Sequence, residues 1–354
     1  MISVLGRTLE FWKKHPAWLP AVGILGLVLF NAVADWMRNP AGGIAGAGTF
    51  LHITMQDGVP AGHLIAVLYY GGAIAIVAIG MTPVIATGGV DLSVGSVMAM
   101  AGAAGAAAVT HDMGGWAGLA AGVAMGLVCG AWNGALVCGL GLQPFVATLV
   151  LMVAGRGVAQ MITGSSVTTF HDPVIEYLGL GRPACLPLPM PFLLAAGLLA
   201  ITAAALRSTA LGLFVEAVGG NAEAARLAGV RSKAVTMGAY LFCGACAGLA
   251  GLIAAADIKG ADPFNAGRNA ELQAIFAVVA GGTALSGGRL SILGAFAGAL
   301  LLQCLTTTMY ARDVSADVAP LPEALVILLV CALGSMTLRE WVRRRAVQVG
   351  GRHT

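Results

Sequence analysis

Charge is scarce in this chain. Only 10% of its 354 residues are Asp, Glu, Lys or Arg, where a soluble domain carries roughly 25%. That shortage excludes a soluble globular protein of this size. Lysine is rarest, and none of Lys13, Lys14, Lys233 and Lys259 follows a glycine. The Gly-Lys-Ser/Thr of a phosphate-binding loop, whose lysine must reach the phosphates, is therefore missing. Any ATP used must be hydrolysed by another polypeptide, and the chain itself calls for no cofactor. The apolar runs hold no His/Glu cluster, metal-ligand set or paired acid and base, which argues against a membrane-embedded enzyme. Cysteines are few, at 129, 138, 185, 243, 246, 304 and 331, and most fall inside apolar runs. A disulfide framework is not expected, and Cys243-x-x-Cys246, set in a glycine-rich run, reads as small-residue packing.

What the chain does have is apolar length. It is 58% hydrophobic, its mean hydropathy is +0.88, and its apolar runs are too long and continuous for barrel strands. The fold class is all-α, a single polytopic membrane domain over 1–354. About ten spans of roughly 20 residues are expected at 17–35, 62–86, 94–110, 116–138, 142–163, 189–206, 234–256, 271–287, 290–309 and 321–338. The first is expected to stay in the protein, because Phe11 to His15 sets charge beside a run of nearly full span length. Glycine is abundant, at 51 residues, and Gly118, Gly122, Gly126, Gly130 and Gly134 recur every fourth residue. That spacing makes a nearly bare helical stripe for a neighbouring helix, as Gly244 with Gly248 and Gly294 with Gly298 do on a smaller scale.

The basic residues give an orientation. With the N-terminus inside, one side holds Arg7, Lys13, Lys14, Arg207, Arg226, Arg231, Lys233, Arg289, Arg339, Arg343, Arg344, Arg345 and Arg352. The other holds Arg38, Arg182, Lys259, Arg268 and Arg312. This bias puts both termini and the 207–233 loop in the cytoplasm. The net charge of +3 thus speaks to topology and not to nucleic acid. Within that loop, Glu216 to Lys233 reads EAVGGNAEAARLAGVRSK, a polar island in an apolar chain. Two readings fit it: a helix that docks a cytoplasmic partner, or a loop that joins two spans. The outer segments Arg38 to Ala61 and Gly164 to Leu188 read as ordinary loops or as surface segments that meet an extracytoplasmic partner.

Polar groups inside the spans are few. Asp91, in GGVDLSVGS, suits a helix-start cap or a substrate ligand. Arg156 and Gln160 share a helix face, which suits a polar pathway or snorkelling to the interface. Asn133, Gln143, Thr148 and Gln303 are neutral hydrogen-bonding groups, fit for a hydroxyl-rich solute or for bonds between helices. So little midspan charge disfavours the alternative of an ion-coupled secondary carrier.

Four passages, AIGMTPVIATGGVDLSVGSVMAMAGA from Ala78, WNGALVCGLGLQPFVATLVLMVAGRGVAQMITG from Trp132, EAVGGNAEAARLAGV from Glu216 and ADPFNAGRNAELQAIFAVVAGGTALSGGR from Ala261, resemble the permease subunits of bacterial ATP-binding-cassette (ABC) importers for sugars. The likeness is to the ribose, arabinose and galactoside branch, with the second passage most like galactofuranose-type permeases. The resemblance implies two permease chains in the inner membrane, two cytoplasmic ATPase subunits and an extracytoplasmic sugar-binding protein. It also implies that the 207–233 loop couples to the ATPase through Glu216, Gly219, Gly220, Asn221, Glu223, Ala224, Ala225 and Gly229. Asp91, Asn133, Gln143, Arg156 and Gln160 are then the candidates for the translocation pathway.

Overall fold

The computed structural model describes residues 17–38, 50–56, 59–183, 186 and 188–315, with positions 318, 321, 322, 324, 325 and 328. Most of the span expected at 321–338, the basic residues of both termini, Cys185 and Cys331 lie outside the described residues. The helices in chain order are α1 (Trp18–Arg38), α2 (His63–Ala86), α3 (Val94–Thr110), α4 (Gly115–Cys138), α5 (Pro144–Thr163) and α6 (Pro173–Leu180). They continue as α7 (Met190–Ser208), α8 (Leu211–Gly220), α9 (Ala222–Leu227), α10 (Ser232–Asp257), α11 (Ala270–Ala280) and α12 (Ile292–Ala311). Two short antiparallel ribbons pair β1 (Thr54–Gln56) with β2 (Val59–Ala61) and β3 (Thr168–Thr169) with β4 (Gly260–Ala261).

Among the described residues seven helices, α1, α2, α4, α5, α7, α10 and α12, are long and apolar enough to cross a membrane. At 17 residues α3 rises about 25 Å, the lower limit for a span. The span expected at 271–287 is corrected: α11 stops after 11 residues, about 16 Å, near half the hydrocarbon thickness. Glycine ends it. Gly282 takes φ +87°, and the N–H groups of Gly282 and Thr283 bond back to Val279 and Val278 at 2.9 and 3.2 Å, the double bond of a left-handed helix stop. The run beyond Ala280 is apolar enough to mimic a span, but its glycines turn the chain.

Packing follows the small residues. α2, α10 and α12 are central, while α1, α5 and α7 keep most of their surface open. Lipid is as apolar as leucine, so helices associate here through close contact rather than hydrophobic burial. The glycine stripe of α4 is that contact: Gly118, Gly122, Gly126, Gly130 and Gly134 are all buried. Gly126 abuts the Gly244 carbonyl of α10, Gly130 the Tyr240 carbonyl, and Gly118 the Gly105 carbonyl of α3. Gly294 and Gly298 of α12 meet Gly281 and Ala277 in the same way.

Two sets of contacts define the two faces. On one, the Gly288 N–H donates to Ala86 O at 3.0 Å and the Leu290 N–H to Glu216 Oε1 at 3.0 Å. On the other, β3 pairs with β4, Tyr69 donates to Asp257 at 2.6 Å, and Lys259 Nζ lies 3.2 Å from Glu176 Oε2. Residues 164–183 are thus held to the bundle, with their own Phe170 and Ile175 buried. The Lys259 hydrogen bond holds Glu176 below the usual carboxylate range. A lowered pKa stabilises only where the carboxylate is ionised, so the contribution is full above the ordinary value of 4.5 and is lost as pH falls through the lowered one. Glu176→Gln is therefore expected to reduce the thermal midpoint at pH 7 and to differ less from the parent as the pH falls below 4.5. A difference that persists unchanged at pH 3 would remove the ion pair from the account.

Candidate translocation and coupling sites

The turn between α2 and α3 is a buried polar junction. α2 ends as α11 does: Gly88 takes φ +84°, and the Gly88 and Gly89 N–H groups return to Ile85 and Val84 at 2.9 and 3.0 Å. Asp91 follows, 2% exposed. Its Oδ1 accepts from the Ser93 N–H at 2.9 Å and the Ser93 hydroxyl at 2.6 Å. Asn133 Nδ2 of α4 reaches Ser93 Oγ at 2.8 Å and Asp91 at 3.4 Å. Ser93, not Asp91, is the N-cap residue of α3, and Asp91 closes the turn before it. Asn133 Oδ1 and the Tyr240 hydroxyl of α10 are buried here without a hydrogen-bond partner among the described residues. Thr148 Oγ1 of α5 donates to the Pro144 carbonyl at 2.9 Å, with the Val90 carbonyl at 3.4 Å. Asp91 and Asn133 therefore lie together inside one chain's bundle.

A second polar group sits on an open side. Arg156 is half-buried on α5, and its Nη1 donates to the Ala266 carbonyl at 2.5 Å. Glu271 and Asp262 act on it as opposite charges and Arg268 as a like charge. Arg156 lies about 10 Å along α5 from its Thr163 end, and the Ala266 carbonyl of the 262–269 segment reaches it at that depth. Residues 262–269 are not helical: Asp262 accepts from the Phe264 and Asn265 N–H groups at 2.9 and 3.1 Å, and Gly267 and Asn269 take φ +64° and +63°. Gly267 and Gly95 lie backbone to backbone, and a side chain on either would strike the other's carbonyl. Irregular backbone at membrane depth persists only where protein buries it or a cavity faces it, and transporters place their sites at such broken helices. Gln160 is half-buried one turn beyond Arg156. Gln143, expected midspan, instead ends α5 as an exposed N-cap residue.

The 216–233 segment, the coupling candidate, is two short helices, α8 continuing to Gly220 and α9, and not one helix. Asn221 separates them with φ −162° and ψ 101°, and its side chain caps α9 by accepting from Glu223 N and Ala224 N. Glu216 turns inward to Leu290, and Gly219 packs on the Ala86 carbonyl. Ala225 is buried, 6% exposed. Gly229 has open space around it but φ +90°. The Gly229 and Val230 N–H groups bond to Arg226 and Ala225, both at 3.0 Å, so this glycine serves the turn into α10. Facing outward are Gly220, Asn221, Glu223 and Ala224, together with Leu227, 76% exposed. Arg226 pairs with Glu223 at 2.6 Å and holds its carboxyl below the usual range.

Apolar helices packed on glycine, with a half-length helix at a polar break, suit a membrane transport protein. Residues 63–333 match the family described as "Branched-chain amino acid transport system / permease component". The chain belongs to this permease family. It is 44% identical to the galactofuranose transporter permease YtfT of Escherichia coli K12 over 299 residues, 84% of this chain and 87% of that one. It is 39% identical to the fructose import permease FruF of Bifidobacterium longum over 281 residues, 77% of each chain. To the ribose import permease RbsC of Escherichia coli K12 it is 39% identical over 272 residues, 75% of this chain and 84% of that one. No solved structure matches the permease.

Sequence reasoning missed Asp262, Arg268, Glu271 and Leu227. The signal for the first three was present in DPFNAGRNAE, a polar run entering an apolar stretch rich in glycine at its far end. Leu227 had none, because one leucine in an island of small residues does not reveal its exposure.

Proposed function

We propose that this permease is the membrane-spanning subunit of an ABC importer that carries a monosaccharide, galactofuranose or a close relative, into the cytoplasm by alternating access. The observation that carries this reading is the irregular 262–269 segment before the short α11, whose Ala266 carbonyl accepts from Arg156 on the open side of α5. Two copies of the permease facing each other there would enclose a path lined by Arg156, Gln160 and Glu271. A sugar delivered by an extracytoplasmic binding protein would enter it, and ATP hydrolysed by two cytoplasmic ATPase subunits would drive the exchange of open faces through α9. The termini and α9 lie in the cytoplasm on this reading, and the β3–β4 ribbon outside. The likeness to sugar permeases favours a sugar over the branched-chain amino acids named in the family's description.

The test is uptake in proteoliposomes that hold the permease, its ATPase and its binding protein. Labelled galactofuranose is compared with fructose, ribose and leucine. ATP-dependent sugar uptake that persists when ion gradients are dissipated is expected; uptake driven by an ion gradient without ATP would establish the secondary carrier instead. Leu227→Glu, on the exposed face of α9, is expected to leave the permease folded and to lower uptake by about tenfold or more, since a charge in an apolar contact costs upwards of 1.4 kcal/mol. Unchanged uptake in that variant would move the docking surface away from α9.

A further inference from the structure

The end of α8 meets the bundle at backbone distance. A Cβ on Gly219 would strike both the Ala86 carbonyl at the end of α2 and the nitrogen of Gly288. Gly287, at φ +82°, packs on the Gly219 carbonyl and on Gly88 N, and Gly288, at φ +80°, packs on Gly220. The Gly288 N–H donates to Ala86 O at 3.0 Å. Segments 86–88, 216–220 and 287–290 are thus joined with no flexible side chain between them. Glu216 adds one bond to this joint, its Oε1 accepting from the Leu290 N–H at 3.0 Å.

The last of these segments belongs to a closed turn. Thr283, 2% exposed, accepts from the Ser291 N–H at 3.1 Å, and Ser291 caps α12 by accepting from the Gly294 N–H at 3.3 Å. Residues 283–291 therefore form a stiff link between α11 and α12. α11 itself is clamped along α12, Gly281 against Gly294 and Ala277 against Gly298. It rises about 16 Å, and at its other end stands the 262–269 segment, whose Ala266 carbonyl holds Arg156. The chain that leaves 86–88 reaches the same place, since Gly95 in the first turn of α3 lies backbone to backbone with Gly267. Both segments gripped by α8 thus lead to the residues around Arg156.

We propose that the 283–291 turn is the relay that carries movement of the coupling segment to Arg156, with Glu216 and Thr283 as positioning residues. Glu216 grips the turn from α8, and Thr283 keeps it closed, so that α11 is displaced as one piece. Packed elements and hydrogen-bonded links of this kind are what can transmit a displacement between distant sites. The assignment rests on the import reading, in which α8 and α9 take the thrust of the ATPase. Thr283 is buried, so its loss cannot act through the ATPase contact surface.

Two readouts test the relay. The first is ATP hydrolysed per sugar imported, with galactofuranose, in proteoliposomes that hold the permease, its ATPase and its binding protein. Thr283→Val keeps the side-chain shape and removes the acceptor; Glu216→Ala removes the other acceptor and Glu216→Gln keeps it. Thr283→Val and Glu216→Ala are each expected to raise the ratio severalfold, and Glu216→Gln to stay near the parent. A purely structural role would lower hydrolysis and uptake together and leave the ratio unchanged. An unchanged ratio in Thr283→Val would overturn the relay, as would a Glu216→Gln permease as uncoupled as Glu216→Ala. Should Thr283→Val not fold, the Glu216 pair decides in the same way. The second readout needs no sugar: labelling of Phe264→Cys, in the exposed part of the 262–269 segment, by a thiol reagent in the permease–ATPase complex with and without ATP. The rate is expected to change severalfold with ATP and to lose that response when Glu216→Ala is added. No response to ATP, or a response that survives Glu216→Ala, would overturn the relay, whereas a parent that responds to ATP but imports no sugar would overturn the sugar reading alone.

Discussion

Gly130→Leu is expected to abolish the folded permease. A side chain at Gly130 would begin against the Tyr240 carbonyl and within 3.0 Å of Leu241 Cα. Both are backbone of α10, so no rotamer change relieves the clash, and α4 and α10 must separate. Overpacking in a well-packed core costs about 1 to 3 kcal/mol. Four added carbons against rigid backbone place this variant at about 3 kcal/mol or beyond, enough to unfold a marginal membrane domain. Gly157→Leu is the control, because Gly157 is exposed on α5 and has nothing within 4 Å of an added Cβ. Size-exclusion profiles and thermal midpoints in detergent separate the two. Equal yields of monodisperse protein would mean that the α4–α10 contact is looser than its geometry.

Asp91→Ala is expected to have the second-largest effect. It strips an acceptor from the Ser93 N–H and hydroxyl and from Asn133 Nδ2, all of them buried. Each buried donor left unmatched costs about 1 to 3 kcal/mol, so the turn between α2 and α3 should loosen by about 3 kcal/mol in all. Asp91→Asn keeps an acceptor oxygen in the same place and is expected to fold and to transport in proportion to the folded amount. Arg156→Gln is expected to differ in kind: folded, but with uptake reduced about tenfold or more, since a charged group on the open side is lost. A folded Asp91→Asn permease without uptake would move Asp91 into the pathway, and normal uptake by Arg156→Gln would take Arg156 out of it.

The sequence read well wherever the membrane constrains it. Span lengths between Gly62 and Ala256 agree with the helices within a few residues, because backbone polar groups in lipid must be satisfied within each helix. The glycine stripe of α4 was legible for a related reason. In lipid only small or polar residues mark a contact, so a stripe of glycine has few other meanings. The broken helix after Ala261 was hidden because hydropathy does not tell a glycine that packs in a helix from one that ends it. Gly294 does the first and Gly282 the second.

By itself, then, the sequence determined the all-α membrane class, the alternation of spans, the packing stripes and the polar island that interrupts them. Tertiary structure alone decided which polar groups meet. It joined Asp91 to Asn133 across 42 positions and Arg156 to Ala266 across 110. It also turned Ala225 inward and Leu227 outward within one short helix. The reason is physical. In a water-soluble helix the apolar face announces itself by periodicity, whereas lipid and a neighbouring helix are equally apolar, so the facing of a membrane helix leaves little trace in its hydropathy and is settled by close packing and by the few hydrogen bonds that must be made.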